Sequence, residues 1–159
     1  MNVYQKIEFI TRVQLRPGSP EEVQKLRNLG MPEEACAFFR NFEPSRCAEI
    51  AKVRLYAVDD VLVENPDAVP DCDVPTLGYV VFATTDRGDA YCFDTGTEQN
   101  GGPSKVVLIS HELNWEGKTR EEVLRLAKLV ADCFERLLER LSARNWAPSR
   151  YIPNLRADR

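Results

Sequence analysis

Any imidazole chemistry in this chain must pass through one side chain, because His111 is its single histidine among 159 residues. Ser110 precedes it, but adjacent strand residues point to opposite faces, so the two form no local catalytic dyad. Cys92 and His111 would be a legitimate nucleophile and base if their strands were neighbours. A thiol and an imidazole specify little by themselves, and the plainer reading is a core thiol and a loop-edge ring. Asp86-x-x-Asp89 and Asp71-x-Asp73 offer oxygen ligands to a hard cation, yet neither continues into the acidic pattern of a calcium loop. Solvated turn carboxylates are the favoured reading of both. The same acids supply no defined separation for paired-carboxylate catalysis. Gly101-Gly102-Pro103-Ser104 lacks the lysine and the following helix of a phosphate loop. Arg87-Gly88-Asp89 reads most simply as a hairpin turn. The expectation is no catalytic residue, no metal site and no cofactor.

The five cysteines (Cys36, Cys47, Cys72, Cys92 and Cys133) cannot all pair within one chain, and none forms a C-x-x-C. Reduced thiols are expected, with Cys36, Cys92 and Cys133 acting as small core residues. Hydrophobic residues make up 43% and charged residues 29%, the balance of an ordinary globular protein. No apolar run has the length of a membrane span, and the start lacks a secretory pattern. A soluble, cytoplasmic, single domain over 1–159 is expected, with its core over about 19–141.

The net charge of −4 is unevenly spread. Asp59 to Glu98 holds ten acids and one base, a net −9 that leaves +5 for the rest. An acidic middle repels phosphates and attracts basic partners. The arginines of the tail, mixed with Glu135, Glu139 and Asp158, form no continuous basic patch. Neither a nucleic-acid partner nor a membrane partner is expected.

Several elements would position these residues. Ser19-Pro20-Glu21-Glu22 opens a helix with a capping serine and a proline at its first position, and Gly30 stops it. Pro32 opens a second helix in which Ala35, Phe38, Phe39 and Phe42 share a face as core residues, and Pro44 ends it. Before Ser19, Tyr4, Ile7, Ile10 and Val13 suit a helix face while Ile7-Glu8-Phe9 alternates like a strand. Lys52–Val58 reads as a strand ending at Asp59-Asp60. Proline makes Asn65–Pro75 an irregular loop. Leu77–Thr85 and Ala90–Asp94 make a hairpin about Asp86-Arg87-Gly88-Asp89, and Lys105–Ser110 is a further strand. Thr119 and Glu122 cap a long last helix whose stripe runs from Val123 to Leu141. Helices, then strands, then a helix make an α+β fold: one mixed or antiparallel sheet, N-terminal helices, and a long C-terminal helix packed on it.

Three passages resemble the SUKH superfamily of bacterial toxin-immunity proteins and fungal cell-wall assembly regulators. Leu29-Gly30-Met31-Pro32-Glu33-Glu34-Ala35-Cys36-Ala37-Phe38-Phe39 is similar to its helix-to-helix junction. Gly78–Ala83 through Gly88–Asp94 is similar to its central hairpin, and Ala131–Leu138 to its closing helix. Met31 and Cys133 stand where that family commonly has leucine and serine. The resemblance implies an α+β fold and a protein-binding module without a shared catalytic site. The expected function is an immunity protein that neutralises a toxin, its acidic surface meeting a basic toxin domain. A regulatory adaptor with a cellular partner is the alternative, and a small thiol-dependent enzyme the last. Candidate contacts are Asp59 and Asp60 at a strand end, Asp86 and Asp89 in the hairpin turn, Glu98 in the next loop, and Trp115. Tyrosine and tryptophan recur at binding hot spots, which also draws attention to Tyr79 and Tyr91.

Overall fold

Proline, glycine and capping residues divide the first third of the chain into short helices. A computed structural model describes residues 1–65, 77–96 and 103–143. Helix α1 (Val3–Thr11) settles the ambiguous start, with Asn2 capping the Gln5 amide. Strand β1 (Leu15–Arg16) follows, then α2 (Pro20–Leu29) and α3 (Glu33–Phe42). The Ser19 hydroxyl accepts from the Glu22 amide at 3.1 Å, and Gly30 ends α2 with φ +100°. That left-handed value suits glycine, which has no Cβ to clash. Strand β2 (Glu43–Pro44) pairs with β1 in a two-stranded sheet.

The main sheet is an antiparallel meander of six strands in chain order. It comprises β3 (Ala48–Ile50), β4 (Val53–Leu55), β5 (Tyr79–Thr85), β6 (Ala90–Asp94), β7 (Lys105–Ile109) and β8 (Lys128–Ala131). Helix α4 (Val58–Glu64) lies between β4 and β5. Helices α5 (Arg120–Leu126) and α6 (Phe134–Leu141) flank β8. The architecture is therefore α+β, as expected.

Two elements depart from the sequence reading. The strand expected over Lys52–Val58 is only three residues long, and Val58 already starts α4. Asp59 and Asp60 thus lie in a first helical turn rather than at a strand end. There the Asp60 carboxylate accepts the Ala57 amide at 3.2 Å, holding a donor that helix geometry leaves unpaired. The long last helix is broken at Ala127, whose extended backbone (φ −69°, ψ 149°) turns Lys128–Ala131 into β8. Helical periodicity across that stretch is outweighed by pairing with three residues of β7: Val106, Val107 and Leu108 pair with Ala131, Leu129 and Lys128.

Aromatic rings join the helices to the sheet. Phe134 of α6 meets Phe38 of α3, Phe82 of β5 and Phe93 of β6 edge-on, with centroids 5.0, 5.4 and 5.3 Å apart. Phe82 sits in a bulge between Val81 and Ala83 and stacks on Phe93 at 4.2 Å. Phe38 and Phe39 are buried and Phe42 is half-buried against Tyr4, in line with the core face read for α3. Where β4 is too short to pair with Val81, Asn65 replaces it. Its side-chain carboxamide donates to the Val81 carbonyl at 2.7 Å and accepts the Val81 amide at 2.8 Å. A buried edge that would otherwise lack partners is closed in this way.

Candidate functional site

In a meander, alternate connections fall at the same end of the sheet, so the β3–β4 turn, the β5–β6 turn and the segment after β7 come together. The β3–β4 loop has two residues, Ala51 and Lys52, between the paired Ile50 and Val53. Both have positive φ, +50° and +62°. Two-residue hairpins demand this left-handed backbone and favour Asn-Gly, whereas side chains with a Cβ adopt it at a cost of roughly 1–2 kcal/mol each. The β5–β6 turn is built more comfortably, with Gly88 at φ +95°. The Asp86 amide donates to the Lys52 carbonyl at 3.1 Å and locks the two turns together.

Asp89 braces the next turn. Its amide donates to the Thr85 hydroxyl at 3.1 Å. One carboxylate oxygen accepts the His111 amide at 3.0 Å and lies 2.7 Å from ring Nδ1. A carboxylate only accepts, so Nδ1 carries a proton, which leaves Nε2 for other partners. The indole Nε1 of Trp115 donates to the Ser110 carbonyl at 2.7 Å and holds the same segment from behind.

Two clefts flank the β5–β6 turn. One, of about 310 Å³, is lined by Arg87, Leu108, Ser110, His111, Leu126 and Lys128 among others. The second, of about 630 Å³, lies over Glu49, Arg54, Tyr56, Glu64 and Thr84. Lys52, Thr85 and Asp86 line both and form the ridge between them.

Comparison with family models, curated proteins and solved structures finds no match. The meaning of the site therefore rests on its own geometry.

Of the candidate contacts, Asp86 and Asp89 are brought to this end. Asp86 is exposed, while Asp89 is half-buried and engaged with His111. Asp59 is exposed on α4, which follows the far end of β4, and Asp60 is committed to the Ala57 amide and the Cys47 thiol. Trp115 is 1% exposed, so the large contact area expected of it faces the core instead. Tyr79 and Tyr91 are also buried. Glu98, Asp71, Asp73 and the Gly101-Gly102 pair lie outside the described residues.

The acids of the middle segment do not share one face. Asp94 is buried and paired with Arg120, which also donates to the Leu77 carbonyl at 2.6 Å and lies 4.8 Å from the Tyr79 ring centroid. That charge fastens α5 to the sheet and is spent inside the fold. Among the described residues no group of three or more acidic, histidine or cysteine side chains is placed to hold a metal ion.

Cys92 pairs across the sheet with Val81 and Val107, deeper than the turn that carries His111. It is wholly buried, and burial pushes its thiol up, with Asp94 adding to the effect. The Cys47 thiol is likewise pushed up to about 11, by burial and by its hydrogen bond to Asp60. Neither is poised as a thiolate, the form that reacts.

The Asp89–His111 pair escaped the sequence reading although a signal was present. Ala90 pairs with Ile109, so the residues just beyond, Asp89 on one side and Ser110-His111 on the other, had to meet. Lys52 and Lys128 carried no such signal.

Proposed function

We propose that the chain is a protein-binding module of the toxin-immunity type, meeting its partner at the turn end of the sheet. The observation that carries this reading is the ridge. Asp86 stands exposed between two clefts on a backbone tied to Lys52, and Asp89 and His111 brace the turn beside it. A preordered protrusion flanked by concavities loses little conformational freedom on docking, which favours affinity. The resemblance to SUKH proteins supports the immunity role. The exposed carboxylates of Asp86 and Asp59 would steer a basic toxin domain and speed its association at low salt. The buried, protonated Cys92 thiol supports a binding role over thiol catalysis.

The test is calorimetric binding to a candidate basic toxin domain, at low and high salt. Asp86→Lys should weaken binding at least about tenfold and flatten its salt dependence, as expected for a charge at an interface centre. Asp59→Lys, on α4, should act on association rate alone. Unchanged affinity and salt slope for Asp86→Lys would reject this face.

A further inference from the structure

Three cations line the smaller cleft without an ion-pair partner among the described residues: Lys52, Arg87 and Lys128. Lys52 is the most informative of them. A two-residue turn with both φ values positive calls for glycine or asparagine, and lysine is held there against that preference. Strain of this kind clusters where the side chain has work to do, and Lys52 reaches both clefts.

The fourth group is His111. Asp89 holds the ring through Nδ1 and the His111 backbone amide on the same oxygen, and Nε2 donates to an anion when it carries a proton. Nε2 has no hydrogen-bond partner among the described residues and belongs to a side chain that lines the cleft. Buried Leu108 and exposed Leu126 also line the cleft and offer apolar contact to the carbon part of a ligand.

We propose that this cleft is a binding site for one oxyanion, a phosphate monoester or a carboxylate, held by Lys52, Arg87, Lys128 and the ring of His111. The site goes beyond the protein-binding reading and stands or falls without a toxin partner. Asp86 and Glu112 line the same cleft and limit what enters. With Asp89 committed to His111, three cations face two free carboxylates. That balance, a net +1, suits a single anionic group better than a polyanion such as a nucleic-acid strand.

His111 is itself the reporter, since its ring signals are the only histidine signals in the spectrum. Inorganic phosphate, methyl phosphate and acetate are titrated into the whole chain at constant ionic strength, with chloride as control. The ring nitrogens are followed by long-range 1H–15N spectra, in which Nδ1–H is the starting tautomer. A saturable shift with phosphate or acetate, absent with chloride, is expected, and the two arms decide which oxyanion the cleft takes. Lys52→Gln and Lys128→Gln should each weaken it about two- to fivefold, the range of one exposed charge pair. Asp86→Asn should tighten it, because a repulsive charge is removed. Arg87→Gln, on the exposed turn, provides a second cation variant if Lys52→Gln perturbs its strained turn. The proposal is overturned by a shift no larger than with chloride, by binding indifferent to all three cation variants, or by tighter saturation with a single-stranded oligonucleotide.

Discussion

The hairpin β5–β6 is held in two different ways along its length. Near its middle, Phe82 and Phe93 stack on each other and meet Phe134 edge-on, with Phe38 on Phe134 in turn, and the contact is close packing between rings. At its tip the backbone is held by polar bonds, Asp86 to Lys52 and Asp89 to Thr85 and His111, beside a turn in an unfavourable conformation. The first region gains stability from burial. The second gives some up, and what it keeps is a fixed arrangement of charges around two clefts. Regions built for binding commonly depart from the local rules that the core obeys.

This contrast is most sharply broken at Phe134. Replacing it with alanine should lower stability by about 3–5 kcal/mol in urea titrations, because one cavity opens against three rings. A loss below about 1 kcal/mol would mean that the aromatic junction is not what holds α6. At the tip the sign should reverse. Lys52→Gly relieves left-handed strain and is expected to raise stability by up to about 1 kcal/mol, the strain relief being partly offset by glycine's greater freedom when unfolded. The same variant should weaken oxyanion binding at His111, so stability and binding would move in opposite directions. Equal or lower stability would remove the argument that Lys52 is retained against the fold's interest.

The smallest effect concerns Glu43, a buried carboxyl in β2. Burial pushes its carboxyl up, and Glu22 and Asp59 at the starts of α2 and α4 add to the effect. The unfolded chain, with an ordinary value near 4.5, then releases this proton more readily than the folded one. Its contribution to stability is full below that value and is lost as pH rises through the higher folded value. Glu43→Gln removes the loss. The variant should melt above the parent at pH 7 and lose that advantage toward pH 4. A constant difference across that range would show that ionisation of Glu43 is not responsible.

Structure is legible in the sequence where chemistry is local. Ser19 and Thr119 cap helices because a hydroxyl three residues before a free amide reaches it in almost any protein. Gly88 turns the hairpin for an equally local reason. Structure is not legible where a distant strand makes the decision. Lys128–Ala131 carries residues that suit either period, and β7 needed an outer neighbour, so strand pairing prevailed over the helical stripe. Trp115 shows the same limit for the site. Its side chain is as suited to a hot spot as to a core, and only the position of the Ser110 carbonyl drew it inward.

By itself, then, the sequence determined the α+β class, the caps, the hairpin and the aromatic face of α3, since each follows from spacing or from backbone preferences within a few residues. Tertiary structure decided the break at Ala127, the burial of Asp94 and Trp115, and the meeting of Asp89 with His111. It also turned a charge of −9 along the chain into scattered roles: a helix cap, a buried ion pair, a brace for an imidazole and an exposed ridge. Charge adds up along a sequence, but its effect depends on distance and solvent, and those exist only once the chain has folded.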